Sequence, residues 1–175
     1  RPARSFVAPL SHGRLAVGPA ALHLHPQLQE DLAPEEGLHR HAGLRADALD
    51  HVAGYTIAND VTARELVDRP DIPQMGMDWM RCKSAPGFNI LGPYITPARF
   101  VADPQKLHIK LSLNGQVMQD EGTDDMIFGV ARLIEFASAH TQLNPGDIIM
   151  TGSPSGNGIH HGRLLQDGDV MTGEI

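Results

Sequence analysis

Leu107, Ile109, Leu111 and Leu113 alternate with His108, Lys110 and Ser112, the period of two that a half-buried strand requires. Asn114-Gly115 follows, a pair suited to the positive φ angles of a tight hairpin turn, so Gln116 to Gln119 is expected to run back antiparallel. A second pattern has the helical period. Met126, Ile127, Val130, Leu133, Ile134 and Ala137 recur after Thr123-Asp124-Asp125, whose side-chain oxygens can cap free amides, and this predicts a helix over 124–140. Upstream, Tyr55, Thr56 and Ile57 favour a pleated surface and predict a strand over 53–58, led in by a short helix over 46–52. Thr62 to Val67 reads as another short helix, ended by Pro70, which has no amide hydrogen to continue it. Residues 71–81 mix three methionines and Trp79 with Pro and Gly, a loop with apolar anchors suited to the rim of a site.

Turns at Asn144-Pro145-Gly146-Asp147 and Asp167-Gly168-Asp169, a strand over 148–151, a Gly-rich loop over 152–158 and a last strand from Val170 complete the pattern. Residues 1–24 read as loops with one or two edge strands, for example at Leu15-Ala16-Val17. The fold class expected is mainly β with short helices (α+β), as a single domain over 1–175.

Composition narrows the class. A chain of 175 residues can bury one continuous core, and 41% hydrophobic with 20% charged residues argues for a globular protein. The formal net charge is -7 and no Lys/Arg cluster occurs, which speaks against nucleic acid as a partner. Cys82 is the lone cysteine, so no internal disulfide forms and a reducing, cytoplasmic setting is expected. No apolar run approaches the roughly 20 residues of a membrane-spanning helix, and no membrane partner is expected. The chain opens on Arg1-Pro2-Ala3-Arg4 without a start methionine or signal peptide, and its last strand stops without a turn, so truncation at both ends is expected.

The segment Gly54 to Glu65 runs an apolar strand into Asp60 at what reads as a helix start, a junction able to aim a carboxylate into a cleft. Arg64, four residues on, would share one side of a helical turn with Asp60. It could clamp a substrate carboxylate bidentately, or form a structural ion pair. His23-Leu24-His25, His39-Arg40-His41 and His160-His161 have spacings that can serve a transition metal, although ten histidines make such coincidences common. Gly152-Ser153-Pro154-Ser155-Gly156 has proline where a serine-hydrolase elbow has its nucleophile, and it lacks the Gly-Lys-Ser/Thr ending of a phosphate loop. Cys82 beside Lys83 has no His-Asn arrangement near it, so a nucleophilic role is not expected.

Four blocks in order carry a resemblance: Gly54 to Glu65 with Asn59-Asp60; Lys83-Ser84-Ala85-Pro86-Gly87-Phe88 with Leu91-Gly92-Pro93; Asn144-Pro145-Gly146-Asp147; and Thr151-Gly152-Ser153-Pro154. From about Pro26 to Ile175 the chain resembles the fumarylacetoacetate hydrolase (FAH) superfamily. The resemblance implies a C-terminal-domain-like mixed β-sandwich or β-roll, and a divalent cation on hard oxygen ligands, Mg2+ first and Mn2+ or Ca2+ next. Asp60 matches the third ligand, and the family spacing puts the other two at Gln29 and Asp31. Gln29 brings no charge, so such a site holds its cation less tightly than one with three carboxylates. Lys83 matches the family lysine that stabilises an oxyanion or enolate, and Thr151-Gly152 matches its substrate-anion contact, a plain tight turn being the other account. Two positions depart from the pattern. Val67 stands where several relatives have glutamine, and His12 carries nothing of the lid that supplies the family's His–Glu base.

The function so implied is a metal-dependent hydrolase that cleaves a carbon–carbon bond in a small 2-oxo or 1,3-dicarbonyl acid of aromatic catabolism, of acylpyruvate or fumarylacetoacetate type. Asp60, Asp31 and Gln29 would hold the metal, Lys83, Arg64 and Thr151 would act in catalysis, and Arg64 and Gly152 would bind the substrate. An isomerase, decarboxylase or hydratase working through the same enolate is the alternative, as is a catalytically silent FAH-like domain. A small carboxylic acid as substrate and a homodimer complete the expectations.

Overall fold

The computed structural model describes residues 47–175 and, as strands, residues 6–9, 15–16 and 21–24. The alternating segment forms β-strand His108–Leu113, here β7 in chain order, with Ile109, Leu111 and Leu113 buried. It turns through Asn114 at φ 51° and Gly115 at φ 82°, both positive as a two-residue hairpin demands, into β8 (Gln116–Gly122). On the other side of β7 lies β10 (Val170–Glu174), and beyond it β1 (Phe6–Pro9), giving the order β1-β10-β7-β8. Asp169 locks this hairpin turn to the start of β10. Its carboxylate accepts from the Asn114 side chain at 2.8 Å, from the Gln166 amide at 2.7 Å and from Arg163 Nη2 at 2.7 and 2.8 Å.

The second four-stranded sheet has the order β6-β4-β3-β9, with β3 at Ala21–Leu24, β4 at Val52–Asp60, β6 at Asn89–Pro97 and β9 at Ile148–Met150. Every strand pairing among the described residues is antiparallel. Together with helices of 5 and 11 residues this is a mainly β, α+β architecture, as the sequence led us to expect. One core cluster joins the sheets through Val61, Leu111, Leu113, Met118, Leu165 and Met171, with Phe88 and Ile90 against it. The other gathers Ala48, Val52, Val130, Ile134 and Leu143 around the longer helix.

Three expected helices come out differently. Residues 62–67 do not form one: Thr62–Ala63 is β5, paired with β2 (Leu15–Ala16), and only Arg64–Leu66 makes a 3-10 turn. Val61 donates to the Phe88 carbonyl at 3.0 Å, so long-range pairing of buried Val61, Thr62 and Ala63 prevails over a weak local helix preference. The strand that precedes them therefore runs to Asp60 itself, two residues past its expected end. Residues 124–140 divide into a 3-10 turn at Thr123–Asp125 and the helix α2 (Val130–His140). Its first amide, of Val130, is taken by Gln105 Oε1 at 2.8 Å, and not by the Thr-Asp-Asp run. Thr123 instead donates its hydroxyl to the Pro104 carbonyl at 2.8 Å, and Ile127, counted on the apolar face, is 91% exposed. The lead-in over 46–52 is a 3-10 turn at Ala48–His51. Finally, the loop over 71–81 contains a helix, α1 (Trp79–Lys83), which had no place in the hydrophobic pattern.

Candidate active site

Asp60 is the last residue of β4 and stands opposite Asn89 of β6. It is placed there by strand pairing, and its side chain stays about a third exposed, at 32%. Lys83 reaches the same point from the end of α1. Its Nζ donates to Asp60 Oδ2, and it lies 5.6 Å from the centroid of the Trp79 ring. Two residues 23 apart in sequence thus form one carboxylate–ammonium pair, each partner open to solvent on one side. The Lys83 ammonium can donate to a developing oxyanion, and its place over the Trp79 ring is a cation–π contact.

Arg64 does not share a helical face with Asp60, because the residues between them are extended. Its Nε is buried and has no hydrogen-bond partner among the described residues. A buried, unmatched guanidinium N–H can take an anionic oxygen, which keeps Arg64 a candidate for carboxylate binding. Asn59, next to Asp60, is likewise buried with Oδ1 unmatched among the described residues, while its Nδ2 faces Met171 Sδ at 3.6 Å. Val67 is buried and its carbonyl accepts the Asp78 amide at 2.7 Å, a structural use of that position.

Thr151 and Gly152 follow β9, and Gly152 has φ 104°, a conformation glycine adopts readily. Thr151 lines two cavities. One, of about 180 Å³, is bounded by Tyr55, Thr56, Ile57, Tyr94 and Ile175. The other, of about 360 Å³, is bounded by Glu121, Asp125, Phe128, Gly152 and Ser153. Asp60, Arg64 and Lys83 line neither of them. The structure therefore joins Asp60 to Lys83, while Thr151 and Gly152 border cavities that this pair does not line. The loop bearing them is pinned by a residue that had not stood out in the sequence: buried Gln119 of β8 donates to Ser153 Oγ at 2.9 Å and to the Pro154 carbonyl at 2.8 Å. No motif signals Gln119, since its partners are 34 and 35 residues away.

As a metal ligand, Asp60 has the right chemistry. Oδ2 is engaged by Lys83, and Oδ1 accepts no hydrogen bond from the described residues, so a hard oxygen donor is available. Gln29 and Asp31 lie outside the described residues, as do His25, His39 and His41. Among the described residues no three His, Cys, Asp or Glu side chains gather into a metal site. His161 uses Nε2 on the Met118 carbonyl at 3.0 Å, and Cys82 is fully buried with its thiol toward the Trp79 carbonyl at 3.4 Å, so neither is presented to a ligand.

Residues 38–175 match the family model described as fumarylacetoacetate (FAA) hydrolase C-terminal. The chain belongs to the FAH family. Gln29 and Asp31 fall before the matched residues. Among curated FAH relatives, the mitochondrial oxaloacetate tautomerase fahd2 of Xenopus laevis is 38% identical over 131 residues, which are 74% of this chain and 40% of that protein. The chain thus spans less than half the length of this relative. Among solved FAH structures, the 2-hydroxyhepta-2,4-diene-1,7-dioate isomerase of Mycobacterium marinum superposes with a TM-score of 0.67 at 31% identity, over 91% of this chain and 54% of that one. Fumarylpyruvate hydrolase from Pseudomonas aeruginosa, in complex with Mn2+ and pyruvate, gives 0.71 at 25% identity, over 95% of this chain and 63% of that one. The mostly stranded fold with short helices is the FAH fold.

Proposed function

We propose that this FAH domain interconverts the keto and enol forms of a small 2-oxo dicarboxylic acid of oxaloacetate type, in place of the carbon–carbon hydrolysis first expected. The observation that carries the reading is the Asp60–Lys83 pair at the end of β4. Enolisation breaks a C–H bond beside the 2-oxo group. A general base takes that proton, the C–H electron pair becomes the C=C bond, the C=O π pair moves onto the carbonyl oxygen, and this oxygen is then protonated. The Lys83 ammonium offsets that developing charge, and the reaction calls for neither an activated water nor a leaving group. Arg64, with its buried and unmatched Nε, would hold a substrate carboxylate. Thr151 and Gly152 are retained as the contact for a second carboxylate. A divalent cation, with Asp60 as ligand and Asp31 and Gln29 proposed beside it, would supply polarisation of the 2-oxo carbonyl.

Similarity to oxaloacetate tautomerases and to a dioate isomerase supports this outcome, while similarity to fumarylpyruvate hydrolase supports the hydrolytic one. Oxaloacetate and a panel of acylpyruvates, followed by enol absorbance and by product analysis with Mg2+ or Mn2+ present, separate them. Keto–enol interconversion faster than the buffer rate, and falling about 100-fold or more in Asp60→Asn and in Lys83→Ala, is the expected result. Release of two acids from an acylpyruvate would replace it with the hydrolase. Inactivity on both would leave a silent domain.

A further inference from the structure

Five residues are too few for a helix to stand alone, because the first turn costs more in backbone order than its hydrogen bonds return. Helix α1 is therefore held from outside. Residues 68–78 leave the body of the protein and close on themselves: Asp68 bridges Met77, and the Arg69 amide donates to the Gly76 carbonyl at 3.2 Å. The Asp78 amide then donates to the Val67 carbonyl at 2.7 Å. At this neck sits the Asp78 side chain, 10% exposed. Oδ1 accepts the Arg81 amide at 2.9 Å, capping the helix, and Oδ2 accepts Arg69 Nη1 at 2.8 Å. Arg69 is fixed in turn by Asp71, through Nε at 2.9 Å and Nη2 at 2.8 Å. The Arg81 amide first, and the Arg69 guanidinium with it, hold the Asp78 carboxyl below the usual carboxylate range. Capping and charge thus meet in one buried group, five residues before Lys83. The last turn of the same helix delivers Lys83 to Asp60, and its first residue, Trp79, lies beneath the ammonium.

We propose that Asp78, locked by Arg69, is a positioning residue: by capping Trp79–Lys83 it sets the Lys83 ammonium against the Asp60 carboxylate and the Trp79 ring. This rests on Lys83 being the group that stabilises the enolate. Displacing a catalytic group by about 1 Å is enough to lower a rate on the order of 100-fold. Asp78→Ala removes both the cap and the Arg69 partner, and is expected to lower kcat 10- to 100-fold with KM within about threefold of the parent. Asp78→Asn retains an oxygen for the Arg81 amide and is expected to recover kcat to within about fivefold, since asparagine caps as well as aspartate.

The chain has one tryptophan, so Trp79 fluorescence reports the same helix without reference to turnover. Quenching by acrylamide should rise in Asp78→Ala and stay near the parent value in Asp78→Asn. The deciding measurement is the double variant. If Asp78 acts through Lys83, Asp78→Ala added to Lys83→Ala costs less than about twofold more, because residues acting as a unit are not additive. A further loss as large as in the parent background overturns the positioning role, and so does an unchanged kcat in Asp78→Ala. Should Asp78→Ala fail to fold, Arg69→Gln with and without Lys83→Ala makes the same comparison, and additive losses there overturn the proposal. If Lys83→Ala alone keeps the parent rate, the tautomerase reading itself fails, whatever Asp78 does.

Discussion

Asp169 shows how much one buried carboxylate does in this fold, since it binds the hairpin turn, the Gln166–Asp169 turn and Arg163 at once. Burial alone would raise its pKa, but the Gln166 amide, the Asn114 side chain and Arg163 together outweigh it and hold the carboxyl below its ordinary value. A group depressed in the folded state adds stability that is complete above the unfolded value of about 3.9 and is lost as pH falls through the lower folded value. Asp169→Ala is expected to lose about 2–3 kcal/mol at pH 7, the scale of charge-assisted hydrogen bonds. In urea melts, that gap from the parent should stay constant from neutral pH to about 5 and close progressively below about 4. Residues of this kind were legible only in part. Asp60 and Lys83 stood out in the sequence because short blocks mark them, and they meet in space. Asp78, Arg69 and Gln119 did not, because each works through partners that only the folded loop or the opposing strand brings near.

At the level of elements, the period-two segment and its Asn-Gly turn were read correctly because both signals are local and agree. The helix over 62–67 was misread for the opposite reason: its alternative, pairing with β2, lies 48 residues upstream by the register Leu15↔Ala63, invisible to a local pattern. Likewise α2 begins at Val130 because Gln105, 25 residues away, supplies the acceptor for its first amide. The loop after Thr151 is another element fixed at a distance. At Gly156, with φ 97°, an added Cβ would overlap the Met118 carbonyl oxygen, a backbone atom of β8 that cannot step aside cheaply. Gly156→Ala should therefore cost about 2–4 kcal/mol and displace the Thr151–Gly152 wall. Its thermal melt tests the first part. Weaker substrate binding with the Lys83 chemistry retained, seen as a higher KM at similar kcat, tests the second.

Across the whole molecule the two sheets share one core cluster, while α2 and the 3-10 turn at Ala48–His51 share the other. Outside both, Leu91, Tyr94 and Ile95 of β6 and Phe100 beyond it are exposed. We propose that this surface pairs two copies, the homodimer that the family resemblance implied. Sedimentation equilibrium should return twice the chain mass, and Tyr94→Lys should return it to one. The excursion that carries α1 contributes no residue to either cluster, yet its base is buried. Cys82 is fully enclosed there, next in sequence to the lysine of the site. Its thiol is therefore a clock. A maleimide can reach it only when this segment lifts away, so labelling at low denaturant counts excursions of the catalytic helix, and labelling near the melt counts unfolding of the whole. Faster labelling in Asp78→Ala at unchanged global stability would time, in seconds or hours, how long the lysine stays in its place.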